Sequence, residues 1–541
     1  MNSLVERGDS LLLLVITALS VSLAFTIQGY GERLYGCLVP GALAGLSIAL
    51  VSRREDWQKR FISFMFLGSL GWALGTSMST FQVIGYTHSD YWDSVLYGVA
   101  CLFVIGFLWG SVGGMACALP ACLPRGRLET LYPPIFSILA AWGILRAVTA
   151  WCGVPYDHFS DWVNAWLARS DTASAFGGMA LARRGIAVLQ DYEMAWLPAL
   201  AAMAALLLLY LLRRKWTWGM SLLMGLAVGW WIGFLVLVLG FGWRMTPPRS
   251  DNWAGMVGMS VALMIFLLRS GYPAAVYSGL VTGSWGGIGF VVANTIKLYI
   301  YYDNPQSDYP TVMFQVFGLV NGIGLSMALG YIAERTPPVE EEPERKRGTE
   351  AFAAILVLLG IPYLMIMTLF YERWIPERLL PPDMGDLPIT FWLHVAYGVL
   401  ALSLLIPWIR HVRSPLPLVP VSAFGKGQWV FLALLWIVVI VSLLSSLPFD
   451  SMRGMTDGLV YMDACVCTLF MLWASPGQGA PAPVPMDPQR MRRVLLSSTV
   501  VWLLIAVLMI LVSSGLILYL LDAPTYGHYF RFGPNAWKPH G

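Results

Sequence analysis

Residues 279–330 read GLVTGSWGGIGFVVANTIKLYIYYDNPQSDYPTVMFQVFGLVNGIGLSMALG, two apolar runs joined by a short polar loop. Either run suffices to cross a hydrocarbon core about 30 Å thick as a helix. The loop carries Ser307-Asp308 just before the second run begins. Glycines fall four apart at Gly279, Gly283 and Gly287 in the first run and at Gly318 and Gly322 in the second. That spacing puts them on one helix face, where the missing side chains let a neighbouring backbone come close. The stretch reads as a transmembrane hairpin with a close-packing face on each arm.

The pattern occurs three times, over 61–119, 217–268 and 272–332. The tips carry Ser89-Asp90, Ser250-Asp251 and Ser307-Asp308, followed by Tyr91-Trp92, Asn252-Trp253 and Tyr309-Pro310. Further ladders are Gly71/Gly75, Gly106/Gly110/Gly114 and Gly225/Gly229/Gly233, and Trp72, Trp230 and Trp285 sit beside the first-arm ladders. Duplication inside an apolar chain is a common plan of membrane proteins whose site lies where the repeats meet. All three hairpins have the same orientation, so they are parallel repeats.

Composition agrees. Of 541 residues 57% are apolar and 12% charged, where a soluble chain carries roughly 25% charged. Apolar runs continue to both ends, about fifteen in all (fourteen to sixteen), near 11–28, 34–52, 61–86, 95–119, 132–150, 194–212, 217–241, 252–268, 272–298, 310–332, 351–371, 389–409, 427–447, 455–474 and 494–519. They are continuous rather than alternating, which excludes a β-barrel. The fold class is an all-α polytopic membrane protein. Basic clusters recur in every second connection, at Arg53/Arg54/Lys59/Arg60, Arg125/Arg127, Arg213/Arg214/Lys215, Arg345/Lys346/Arg347, Arg410/Arg413 and Arg490/Arg492/Arg493. With the N-terminus inside, 21 of the 34 Lys and Arg lie inside and 11 outside, the positive-inside bias that sets N-in/C-out. The organisation expected is a membrane bundle over 1–333 with a long outer loop at 151–193, a charged cytoplasmic linker at 334–350, further membrane helices over 351–521 and an outer tail at 522–541. The location expected is the cell membrane.

The outer loops are net acidic, which argues against a nucleic-acid partner and suits a sugar-like or cationic small solute. Asp90, Asp251 and Asp308 stand where an N-cap belongs and can each be explained by capping alone. If the tips converge, they form a carboxylate vestibule with Trp92 and Trp253, acids binding hydroxyls and rings binding CH faces or cations. Polar residues at membrane depth are costly and mark pathways. Asp463 is the deepest acid, Lys297 and Arg146 are its candidate partners in an ion-coupling site, and Asn294 and Asn321 join the candidate path. Gln82, Gln315 and His394 are further polar residues at depth, His394 as a structural histidine.

Three functions follow, in order of preference. The first is a secondary transporter or permease for a small polar solute. The second is a membrane-embedded transferase acting on a lipid-linked or envelope substrate at the outer leaflet, with His88, Asp90 and Asp161 as acid and base. The third is a non-catalytic subunit whose glycine ladders serve partner helices or a second copy. No P-loop, GxSxG, HExxH or dinucleotide fingerprint occurs in a suitable context, and the seven cysteines have no metal-ligand spacing, so no cofactor is expected.

Overall fold

The computed structural model describes residues 2–29, 35–75, 78, 80–151, 196–243, 245, 252–303, 308–339, 347–375, 378–417, 419–445, 454–475 and 486–520. The described chain is almost entirely helical. Among the described residues twelve helices are long and apolar enough to cross a membrane, and three shorter apolar ones span Leu11–Ile27, Gly36–Val51 and Phe61–Gly75. The protein is an all-α, multi-pass membrane protein. Among the described residues the only strands are β1 (Asp383–Met384) and β2 (Leu387–Pro388), a two-residue antiparallel pair turning at Gly385, whose φ is +70°. The long outer loop expected at 151–193 lies, but for Trp151, outside the described residues.

The helices form two compact units, each drawn from separate stretches of the chain. The first unit holds α1 (Asn2–Gly29), α2 (Tyr35–Val51), α3 (Glu55–Gln58), α4 (Phe61–Gly75) and α6 (Trp92–Cys122). It resumes with α12 (Pro273–Asp303), α13 (Tyr309–Arg335), α14 (Arg347–Ile355), α15 (Ile361–Leu369), α16 (Ile389–Arg413), α17 (Ala423–Ser445), α18 (Gly454–Trp473) and α19 (Pro488–Leu520). The second unit holds α5 (Phe81–Tyr86), α7 (Arg125–Glu129), for the most part, α8 (Tyr132–Trp151), α9 (Trp196–Arg213), α10 (Trp218–Gly233) and α11 (Asn252–Arg269). Helices before and after residues 334–350 therefore belong to one unit.

In the first unit six helices pack in sequence around a closed ring: α6 on α12, α12 on α13, α13 on α1, α1 on α2, α2 on α4 and α4 back on α6. Glycine makes the ring tight. A Cβ at Gly106 of α6 would lie 2.3 Å from the Gly286 carbonyl oxygen of α12, and one at Gly286 would lie 2.4 Å from that of Gly106. The two backbones touch, so neither position tolerates a side chain. The two arms of each hairpin pack together, α4 with α6, α10 with α11 and α12 with α13. The ladders nonetheless meet different partners. Gly279 and Gly283 face Met115, Ser111 and Phe107 of α6, Gly318 and Gly322 face Val21, Phe25, Thr17 and Ala18 of α1, and Gly229 and Gly233 face α11 of their own hairpin.

Four helices of the ring meet through rings of another kind. Phe25 of α1, Trp109 of α6, Phe290 of α12 and Phe317 of α13 are fully buried. Centroids lie 4.1 Å apart for Phe290–Phe317, 5.0 Å for Phe25–Phe317 and 5.3 Å for Trp109–Phe317. The Trp109 indole donates to the Trp72 carbonyl at 2.8 Å, which ties α4 to the same cluster. The result is an aromatic plug. Away from the ring, α16 and α19 expose Val399, Leu402, Ile406, Leu503 and Leu504, a surface that suits lipid and would aggregate in water.

At the opposite end from the hairpin tips, buried arginines close helix C-termini. Arg54 donates to the carbonyls of Ala333, Thr336 and Pro337 and pairs with Asp56 at 2.7 Å, while Arg60 donates to those of Pro120 and Leu123. Last-turn carbonyls lack intrahelical donors and carry partial negative charge, so guanidinium groups fit there.

Candidate functional site

Phe290, Asn294 and Lys297 lie at i, i+4 and i+7 of α12 and share a face. Above the plug, toward the hairpin tips, that face becomes polar. Asn294 donates from Nδ2 to Thr87 Oγ1 at 3.1 Å, and both residues are fully buried. One turn on, Lys297 Nζ lies 3.4 Å from His88 Nε2 and 5.4 Å from the centroid of Tyr309, and the side chain is only 7% exposed. Tyr301 packs edge-on to both His88, at 5.6 Å, and Tyr309, at 5.1 Å. The first and third hairpin tips thus meet around one ammonium group. His88 lies outside the apolar helices; burial, and then the charge of Lys297, push its imidazole down to about 4. It is neutral at pH 7, and Nε2 accepts from the ammonium.

The α13 side continues the polar line past the plug. Asn321 lies one turn after Phe317, fully buried, with no hydrogen-bond partner for Nδ2 or Oδ1 among the described residues. Its Nδ2 would stand 3.0 Å from a Cβ at Gly286. A buried amide left unbonded costs roughly 1–3 kcal/mol per group.

A second polar seam runs between α1, α13 and α18. Asp463, 5% exposed, takes a hydrogen bond from the Ser22 hydroxyl. Gln315 donates from Nε2 to Thr26 Oγ1 and to the Thr456 carbonyl, both at 3.2 Å. Ser22 and Thr26 lie at i and i+4 on α1, and Thr456, Val460, Asp463 and Cys467 line the buried face of α18.

Of the residues expected to form the site, Asn294 and Lys297 come together, and His88 joins them. Asp463 faces Ser22, and among the described residues no ion pair joins it to Lys297. Asp308 caps α13, accepting from the Thr311 amide at 3.4 Å. Asp90 is exposed, and the turn there is made by Ser89, whose hydroxyl accepts from the Tyr91 amide at 3.2 Å. Trp92 is exposed, and Trp253 is buried within the second unit. Asp161, Asp251 and the side chains of Arg146 and Gln82 lie outside the described residues. His394 is exposed on α16 and bonds the Thr390 carbonyl of its own helix.

Sequence reading missed Thr87, Tyr301, Tyr309, Ser22 and the four plug aromatics as parts of these sites. Thr87 and Tyr309 flank the repeated Ser-Asp pairs, and that adjacency was the available signal. No family model, curated protein or solved structure matches this chain.

Proposed function

We propose that this protein is a secondary transporter of a small polar solute whose path runs through the six-helix ring. The carrying observation is the order of side chains along the ring: Lys297, His88, Asn294 and Thr87 on the tip side of the aromatic plug, and Asn321 on the far side. Polar groups are kept out of lipid unless they serve a path or a partner, and an unbonded amide at the centre of a bundle is satisfied by what passes it. Apolar plugs with polar sites on either side suit alternating access, in which one side opens while the plug separates it from the other. Fifteen spans with the N-terminus inside would put the Lys297 side at the outer face.

Asp463 is the coupling group in this reading, acting alone against Ser22 of α1 rather than through a pair with Lys297. Gain or loss of a proton or Na⁺ there would alter the contact that holds one wall of the ring. The test is solute-evoked current from proteoliposomes on a solid-supported membrane, with carboxylates, phosphorylated solutes, sugars and quaternary amines applied in turn. Wild type is expected to give a transient current with at least one class, and Asp463→Asn to lose it while eluting as the same monodisperse species. An undiminished current in Asp463→Asn removes the coupling role, and wild type that gives neither current nor uptake of radiolabelled solute with any class removes transport. The transferase reading draws less support: His88 faces Lys297, while Asp90 faces solvent.

A further inference from the structure

Among the described residues Lys297 is a buried cation with no acidic partner. It is 93% buried, counted from its 7% exposure, and its neighbours are a neutral imidazole and the ring of Tyr309. Among the described residues no Asp or Glu stands within ion-pair distance of it. Asp308, the acid adjacent to Tyr309, is turned to the Thr311 amide as an N-cap. An unpaired buried charge costs several kcal/mol even after relaxation. A cation–π contact returns about 0.5–2 kcal/mol and a hydrogen bond to a neutral acceptor about the same order, so the deficit stands. Position near the C-terminal end of α12 adds about 0.3–1 kcal/mol at most.

The surroundings suit an oxyanion. The ammonium has donors to spare beyond the one directed at His88. Tyr309, whose ring faces the ammonium, stands in the first turn of α13, where Asp308 caps the helix and the buried Thr311 hydroxyl has no hydrogen-bond partner among the described residues. Asn294, one turn below Lys297, is fully buried, and its Nδ2, which donates one N–H to Thr87, has a second to offer an oxyanion. We propose that Lys297, with Asn294, Thr87 and His88, is a binding site for one negatively charged oxyanion, a carboxylate or a phosphate ester. The solute carried is then anionic, the opposite sign from the one the acidic outer loops suggest. Calling the ligand a transported solute rests on the transporter reading; the site itself does not. The same chemistry is offered by the headgroup of an anionic lipid, and the two sources separate by experiment.

The experiment measures thermal unfolding of the full-length protein in neutral detergent. Inorganic phosphate and succinate are the probes, and sorbitol and choline the neutral and cationic controls, at matched ionic strength. Wild type is expected to gain a saturable upward shift of a few degrees with at least one of the anions and none with the controls. Lys297→Gln should lose the shift and Lys297→Arg should keep it. A parallel arm uses nanodiscs of phosphatidylglycerol or phosphatidylcholine. Stabilisation by phosphatidylglycerol that Lys297→Gln abolishes, with no response to soluble anions, assigns the oxyanion to a lipid headgroup. The proposal is overturned if wild type responds to neither soluble anions nor phosphatidylglycerol. It is equally overturned if Lys297→Gln responds as wild type does. Should Lys297→Gln fail to fold, Asn294→Ala replaces it, with a right-shifted anion titration expected and an unshifted one counting against the site. Anion binding without any solute-evoked current or uptake of radiolabelled anion defeats transport and leaves the site standing. Current evoked by a neutral or cationic solute and unchanged in Lys297→Gln does the reverse.

Discussion

His88 carries a pH signature of its own. Its imidazole is pushed by burial, and then by Lys297, from an ordinary value of 6.5 to about 4. Between those values the unfolded chain binds a proton at this residue and the folded chain does not. Stability contributed by neutral His88 is therefore whole above pH 6.5, falls as pH drops toward 4, and is lost below. A shift of that size corresponds to roughly 3 kcal/mol at about 1.4 kcal/mol per unit. Asp56 behaves in the opposite sense at lower pH. Burial raises its carboxyl, but the Arg54 hydrogen bond, the Val339 amide and the Arg54 charge together hold it below the usual range, so its contribution is lost only in stronger acid. The windows do not overlap. Wild type is expected to lose melting temperature between pH 6.5 and pH 4, and His88→Gln, which keeps an acceptor for Lys297 without titrating, to show a flatter profile there. Superimposable profiles would mean that the His88 imidazole is not held below its ordinary value by burial and Lys297.

At the level of helices, the ladders decide where backbones touch. Gly106→Leu or Gly286→Leu would drive a side chain into a carbonyl at 2.3 Å or 2.4 Å, separating α6 from α12 just below Phe290. Either variant is expected to yield little monodisperse protein in detergent. Gly225, where a Cβ meets nothing within 4 Å, is the control. Gly225→Ala should keep wild-type yield and gain up to about 1 kcal/mol from helix propensity; a loss as large as that of Gly106→Leu would mean that the Gly225 face is packed as tightly as the Gly106 face. The contrast also marks what could be read in advance. Spacing of four told which helix faces are bare, because periodicity is a property of one helix. It could not tell that Gly279 and Gly283 meet α6 while Gly318 and Gly322 meet α1, since the partner is set by how six helices close a ring. Asn294 and Lys297 were legible from their cost in lipid. The aromatic plug was not, because Phe and Trp in an apolar run look the same whether they face lipid or one another.

Across the whole molecule, the orientation expected from the sequence rests on the distribution of charge. The basic clusters that set the N-in/C-out expectation include Arg54 and Arg60, and these are buried on the carbonyls that end α13 and α6. Both serve packing, closing last-turn carbonyls. The remaining exposed cations, such as Arg213, Arg214 and Lys215 between α9 and α10, carry the bias without that complication. An odd number of spans requires the two ends of the chain to lie on opposite faces, whereas an even number places them together. A self-labelling tag fused at residue 1 or residue 541 and treated with a membrane-impermeant dye on intact cells separates these cases. The C-terminal tag is expected to label at once and the N-terminal tag only after permeabilisation. Equal labelling of both would give an even count and remove the fifteen-span reading. The opposite order would keep the odd count, invert the chain, and move the Lys297 side of the plug to the cytoplasm, so that the ring would receive its anion from within.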